Sequence, residues 1–256
     1  MSHYVDLNSD LGESFGNYTL GMDSEVLNHV TSANVACGWH AGDPLIMDAT
    51  VHMCKEKGVA VGAHPGYPDL MGFGRRAMAV NPAEAKAYMI YQVGALQAFC
   101  DSYGVTLQHM KLHGAFYNTA CVTPVLADAV LDGLQAVNPN IAAMVLSGSY
   151  IAKEAERRGI PVIQEVFADR GYTDGGTLVP RTESGAFIKD PQEALERVLM
   201  MVTEGKVVTN TGNTIDIVAD SVCVHGDNPE AIAFTNYIRE GLTKAGVTVA
   251  NFQNRK

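Results

Sequence analysis

GVAVGAHPGYPD (58–69), NPAEAKAYMIYQVGALQAFCDSYG (81–104) and VTLQHMKLHG (105–114) form one passage from strand through helix to strand, and its reading decides the fold. In the first piece, Val59 to Ala63 is a short apolar run that ends at His64. The second carries Ala85, Met89, Val93, Leu96 and Cys100 at helical spacing, so one face is apolar. Its start is marked by Asn81-Pro82, a side-chain cap followed by a proline whose missing amide would lack a partner anyway. It stops near Tyr103-Gly104, where glycine can take the left-handed turn that ends helices. The third piece predicts a strand from Leu107 to Leu112. Two such strands joined by a helix are the unit of a parallel sheet covered by helices.

The same alternation continues in both directions. Strands are predicted at Tyr4 to Leu7, Asn34 to Cys37, Ala142 to Leu146, Val162 to Phe167 and Ser221 to Val224, with a last one near Val247 to Ala250, about seven core strands in all. The cap-and-proline signal recurs at Asp43-Pro44, Thr123-Pro124, Asp190-Pro191 and Asn228-Pro229. No repeat of 20 to 50 residues and no shift of composition divides the chain, so residues 1–256 read as one α/β domain. Asp169 to Glu183 (DRGYTDGGTLVPRTE) lacks apolar periodicity, and a long loop in a compact domain is usually functional.

Of 256 residues, 47% are hydrophobic, ample for a core, which excludes a disordered tail. The net charge of -10 and the lack of any basic run argue against nucleic acid and acidic membrane partners. The start shows no signal-peptide pattern, and no window approaches the roughly 18 apolar residues of a membrane span, so a soluble cytoplasmic protein is expected. Five scattered cysteines without a CxxC pair read as reduced, mostly buried thiols.

Nearly every predicted strand ends, at its carboxyl end, in residues able to do chemistry. They are Asp6, Asn8 and Asp10; Asn34 then His40; His64; Lys111 and His113; Ser147; Glu165 and Asp169; His225 and Asp227. Sites of parallel α/β folds form at these ends. Residues two apart share a face of a strand, so His109, Lys111 and His113 point one way and Met110 and Leu112 the other. The same holds for Asp6, Asn8 and Asp10, and for Glu165, Phe167 and Asp169. His3, His29 and His52 read as structural. HMKLH imitates a helical zinc pair, but on a strand those rings lie roughly 13 Å apart, so that match is discounted. Arg75-Arg76 reads equally as a solvated pair or as a grip on a carboxylate. Neither a GxxxxGK[ST] nor a GxGxxG phosphate loop is present, and there is no GxSxG elbow.

VDLNSDLGESFG (5–16), SANVACGWHAGDP (32–44), VGAHPGYPDLMGFGRR (61–76), KLHGAFYN (111–118), EVFADRGYTDGGTLVPR (165–181) and VCVHGDNP (222–229) resemble the LamB/YcsF family. The resemblance implies a distorted seven-stranded (β/α) barrel related to the polysaccharide deacetylases. It also implies a subunit of an ATP-dependent 5-oxoprolinase, a hydrolase of a cyclic amide C–N bond that opens 5-oxoproline to glutamate with partner subunits of the B and C type. ATP, with Mg2+, is the expected cosubstrate, and a partner is a natural place for it because this chain lacks a phosphate loop. The related deacetylases hold a metal on an Asp-His-His set, and Asp6, His40 and His64 stand where three strands could bring them together; metal content stays open.

Opening a lactam needs a base for water and a cation or amide donors for the oxyanion. By residue type and position, the base is Asp6 or Asp169, Lys111 is the oxyanion or phosphate partner, and His113 and His225 are acid or orienting groups. Arg75 and Arg181 are candidates for the substrate carboxylate. Asn8, Glu13, Asn34, His40, His64, Glu165 and Asp227 complete the expected substrate-binding set. A metal-dependent amide or carbohydrate deacetylase and a non-catalytic substrate carrier are the alternatives.

Overall fold

A computed structural model describes residues 3–254. In chain order its elements are β1 (Tyr4–Leu11), α1 (Asp23–Val26), β2 (Ser32–Ala36), α2 (Pro44–Lys57), β3 (Ala60–His64), α3 (Pro82–Tyr103) and β4 (Leu107–Met110). They continue with α4 (Gly114–Val122), α5 (Pro124–Val137), β5 (Ala142–Leu146), α6 (Tyr150–Arg157), β6 (Val162–Phe167) and α7 (Pro191–Glu204). The last are β7 (Lys206–Val208), β8 (Thr214–Asp216), β9 (Ser221–Cys223), α8 (Pro229–Lys244) and β10 (Thr248–Val249). The strands β1-β2-β3-β4-β5-β6-β9 run parallel in that order, and β9 pairs with both β6 and β1, which closes a seven-stranded barrel.

All five prolines that follow a predicted cap open helices, and Asp43, Asn81, Asp190 and Asn228 accept backbone amides as expected. Thr123 does not: its side chain makes no cap bond, since its backbone also ends α4. In α3 every residue of the predicted apolar face is buried, and Gly104 ends the helix with φ +66°. Met110 and Leu112 join the main apolar cluster with the helices. A second cluster of Ala142, Met144 and Ile163 packs against Phe252. Because Phe252 follows β10, which pairs with the first residues of β1, it closes the amino-terminal end of the barrel.

Several boundaries move. β1 runs on to Leu11 rather than ending at Leu7, because its pairing with β2 extends to Leu11↔Val35, and β4 ends at Met110 rather than Leu112. The second strand covers Ser32 to Ala36 rather than Asn34 to Cys37, because pairing with β1 at Asn8↔Ser32 and with β3 at Ser32↔Ala60 begins earlier. The antiparallel pair β7–β8 lies outside the barrel and is not expected from the sequence. Its loop side chains anchor the long loop: Asp174 accepts bonds from Thr209, Thr211 and Asn213. Asp169 to Glu183 contains no helix or strand, as expected. All five cysteines are buried, and none forms a disulfide. Among the described residues no single helix is long and apolar enough to cross a membrane.

Candidate active site

The barrel interior is a column of hydrogen-bonded polar side chains that rises to the carboxyl ends of the strands. At its lower level Asp6, fully buried, accepts from Thr31, Ser32 and Ser221 hydroxyls. Asn8 donates to Ser221 at 2.8 Å, and Asn34 donates to Asn8 at 2.8 Å and to Asp10 at 2.9 Å. His109 crosses from β4 to Asn34 at 2.7 Å. The ring has room only because residue 62 on β3 is glycine: a Cβ there would run into the imidazole. Burying so many polar groups is tolerable only because they bond to one another.

Above this level the charges begin. The Lys111 ammonium, almost fully buried, lies 2.7 Å from Glu165 and 3.0 Å from Asp10, and 3.2 Å from the Cys223 thiol. Burial opposes its charge, but Asp10 and then Cys223 and Glu165 outweigh burial and hold the ammonium well above its ordinary value. Burial likewise opposes the Asp10 charge, and His64 and Lys111 outweigh it, so Asp10 stays well below the usual carboxylate range. Tyr117 donates to the other Glu165 oxygen at 2.7 Å.

A cleft of about 590 Å³ opens over this layer. Glu13, His64 and His113 line it together with Arg75, Arg181 and His225. Burial, with the charge of Asp10 next, raises Glu13 well above its ordinary value. His225 Nε2 is 3.3 Å from Asp169. Burial alone would lower that imidazole, but Asp169 outweighs it and raises it. Arg75 rests 4.9 Å over Phe73 and Arg181 5.3 Å over Phe187; neither joins any of the ion pairs found among the described residues. Two guanidiniums without a carboxylate partner beside a cleft are suited to an anionic ligand. Arg76, by contrast, pairs with Asp69 outside the cleft.

The structure thus gathers Asp10, Glu13, His64, Arg75, Lys111, His113, Arg181, His225 and Asp227 around one cleft. It corrects Asp6, which is enclosed by hydroxyls at the lower level of the column and does not line the cleft. Asn8, Asn34 and Glu165 likewise support the site from below rather than line it. His40 and Asp169 stand one layer back, against Glu13 and His225. The convergence of Asp6 with His40 and His64 on one metal does not occur; Glu13 and His113 stand with those two histidines instead. Phe73, Tyr117 and Arg170 also line the cleft, although no pattern in the sequence singles them out. Arg170, the neighbour of Asp169, donates to the Ala186 and Val179 carbonyls and so pins the loop.

The buried imidazoles set the acid stability. Burial, helped by Lys111, pushes His109 down to about 3, and burial with His64 pushes His113 to about 3. Below about pH 6.5 the unfolded chain protonates both while the folded chain does not, so stability falls as pH drops, by about 3 kcal/mol per pH unit for the pair. The raised His225 acts in the other window: its contribution is complete below about 6.5 and is lost as pH rises through its folded value. Urea unfolding between pH 4.5 and 8.5 is expected to show maximal stability near pH 6.5 and a steep acid limb. A flat profile down to pH 4.5 would show that these rings are already charged in the folded protein.

Fold and site define a closed, parallel seven-stranded β/α barrel with a cationic, histidine-rich cleft at the carboxyl ends of its strands. Within that class, this chain belongs to the LamB/YcsF family, whose model matches residues 5–256. It is 61% identical over 249 residues to the 5-oxoprolinase A subunit of Fusobacterium nucleatum, covering 97% of both chains. It is 54% identical to the corresponding 5-oxoprolinase A subunit of Pyrococcus horikoshii, covering 96% of both. The crystal structure of the lactam utilization protein from Thermus thermophilus superposes with a TM-score of 0.92 at 44% identity, covering 97% of this chain and all of that one.

Proposed function

We propose that this chain is the lactam-opening subunit of an ATP-dependent 5-oxoprolinase, acting on 5-oxoproline in the cytoplasm with partner subunits of the B and C type. The observation that carries the reading is the cleft itself: one buried ammonium, two guanidiniums without carboxylate partners among the described residues, and an imidazole backed by a carboxylate face a common space. The names of its relatives point the same chemistry at a lactam.

ATP, with Mg2+ and held by one of the partners, activates the substrate by phosphorylating the amide oxygen, which leaves the ring carbon electrophilic. Arg75 and Arg181 hold the substrate carboxylate. His225, oriented by Asp169, takes a proton from the attacking water, since an imidazole held by a carboxylate suits that transfer. The ammonium of Lys111 stabilises negative charge that develops on the oxygens at the reacting carbon. The proton held by His225 passes to the ring nitrogen as the C–N bond breaks, and a second water releases phosphate from the acyl phosphate to give glutamate. Asp10 is the weaker base, because Lys111 keeps it ionised and paired.

The test is glutamate release from 5-oxoproline, with and without ATP, by the chain alone and by the chain assembled with its partners. Release confined to the complete, ATP-supplied mixture is expected. A correctly assembled mixture that hydrolyses ATP but releases no glutamate would overturn the reading.

A further inference from the structure

His64 and His113 share a hydrogen inventory that does not close. His64 Nδ1 lies 2.8 Å from the Lys111 carbonyl, and His113 Nε2 lies 2.8 Å from the Phe73 carbonyl. Carbonyls only accept, so each of these nitrogens carries its ring's hydrogen. The remaining nitrogens, His64 Nε2 and His113 Nδ1, then carry a lone pair each and face each other 3.0 Å apart, with an Asp10 carboxylate oxygen 3.3 Å from the former. Three contacts require three hydrogens and two neutral rings supply two. Either an additional positive charge sits at this point or one contact is repulsive.

We infer that Glu13, His64 and His113 form a binding site for one divalent transition-metal cation of the zinc class, open to the cleft. Glu13 Oε1 is 3.6 Å from His113 Nδ1, and all the candidate donor atoms lie within 4.8 Å of one another. Tetrahedral bonds of about 2.0–2.1 Å place ligand atoms roughly 3.3 Å apart, which the separations of 3.0 and 3.6 Å bracket. The two rings stand at 87°, so their lone pairs approach from different directions. Their outer nitrogens are fixed by backbone carbonyls, the usual support of a metal-binding imidazole.

His40 belongs to the supporting set. Its ring stacks on His113 at 3.7 Å and 5°, so no single point lies in both ring planes, whereas its Nε2 lies 3.2 Å from Glu13 and can hold that carboxylate. The site is also rigid: a Cβ at Gly74 would press on His40 and His113 at 2.8 and 2.9 Å. Two imidazoles and one carboxylate favour zinc, cobalt or nickel over magnesium or calcium. Because all three ligands line the cleft, a fourth position faces the substrate space. Metal uptake by the chain alone does not depend on which substrate is opened.

The experiment is titration of the full chain, stripped with chelator and dialysed, with cobalt(II) and zinc at pH 7.5. Expected are visible cobalt absorption saturating at one ion per chain, displacement by zinc but not by magnesium, and one zinc per chain after dialysis. Glu13→Gln and His113→Ala should each weaken cobalt binding by 100-fold or more, beyond the usual 10–100-fold of supporting residues, while His52→Ala on α2 leaves it unchanged. Nitrogen NMR of the histidines in the wild-type chain gives a second readout that needs no variant: the shifts of His64 and His113 should move on adding zinc. No uptake of either ion at micromolar concentration, with one of these rings doubly protonated at pH 7.5, would overturn the inference.

Discussion

Lys111→Met is expected to leave no measurable 5-oxoproline turnover in the assembled enzyme, a loss on the order of 10³-fold or more, and to destabilise the chain by roughly 3–5 kcal/mol. Both effects have one origin. The ammonium neutralises Asp10 and Glu165 at 3.0 and 2.7 Å inside the barrel. Methionine fills the space but leaves two carboxylates without a cation, and an uncompensated buried charge is costly. Urea unfolding followed by circular dichroism measures the second effect and glutamate release the first. The double variant Lys111→Met/Glu165→Gln separates them: it removes one of the stranded charges and should recover part of the stability without recovering turnover. Turnover within tenfold of normal in either variant would remove Lys111 from the chemistry.

Asp169→Asn should lower turnover by about 10²–10⁴-fold while leaving the fold intact, the range for loss of a positioned proton-transfer unit. Asp169 lies behind His225, 3.3 Å from its Nε2, and raises the imidazole against the effect of burial. As a base, His225 must be neutral, so wild-type turnover should rise with pH through a value above 6.5. Without the Asp169 charge that value falls, and the acid limb moves to lower pH even as the maximum rate drops. A rate loss with an unmoved limb would mean that Asp169 only supports the loop. Near-normal turnover with an unmoved limb would favour a chain that carries substrate for chemistry done by a partner.

Much of the barrel was legible because its signals are local. Apolar runs, helical spacing and the cap-proline pairs each depend on a few neighbouring residues, and β5 and β6 fall where the sequence places them. The short hairpin β7–β8 was not legible, since three-residue strands carry too little pattern to separate from loop. Alternation placed Asp6, Asn8 and Asp10 on one face correctly, but it cannot tell depth. Depth follows from register: Asp6 sits level with Ser221, whereas Asp10 sits level with Asn34, four residues nearer the mouth. That offset makes Asp6 part of the support and Asp10 part of the site. The pairing of Glu13 with His40 and His113 was out of reach for the same reason, because a loop residue's depth depends on strands distant in sequence.

The closure of the barrel by β9 also orders events in time. Asn8 meets Ser221 across 213 residues and Lys111 meets Cys223 across 112, and contacts so remote form slowly because a long chain must be looped first. During synthesis the first six barrel strands leave the ribosome before residues 221–223 exist. Until those residues arrive, β1 and β6 have no strand between them, and the charged layer around Lys111 stays wet. The polar interior therefore stays wet until β9 arrives, and a chain ending before Ser221 would hold nearly every residue of the cleft yet never assemble it.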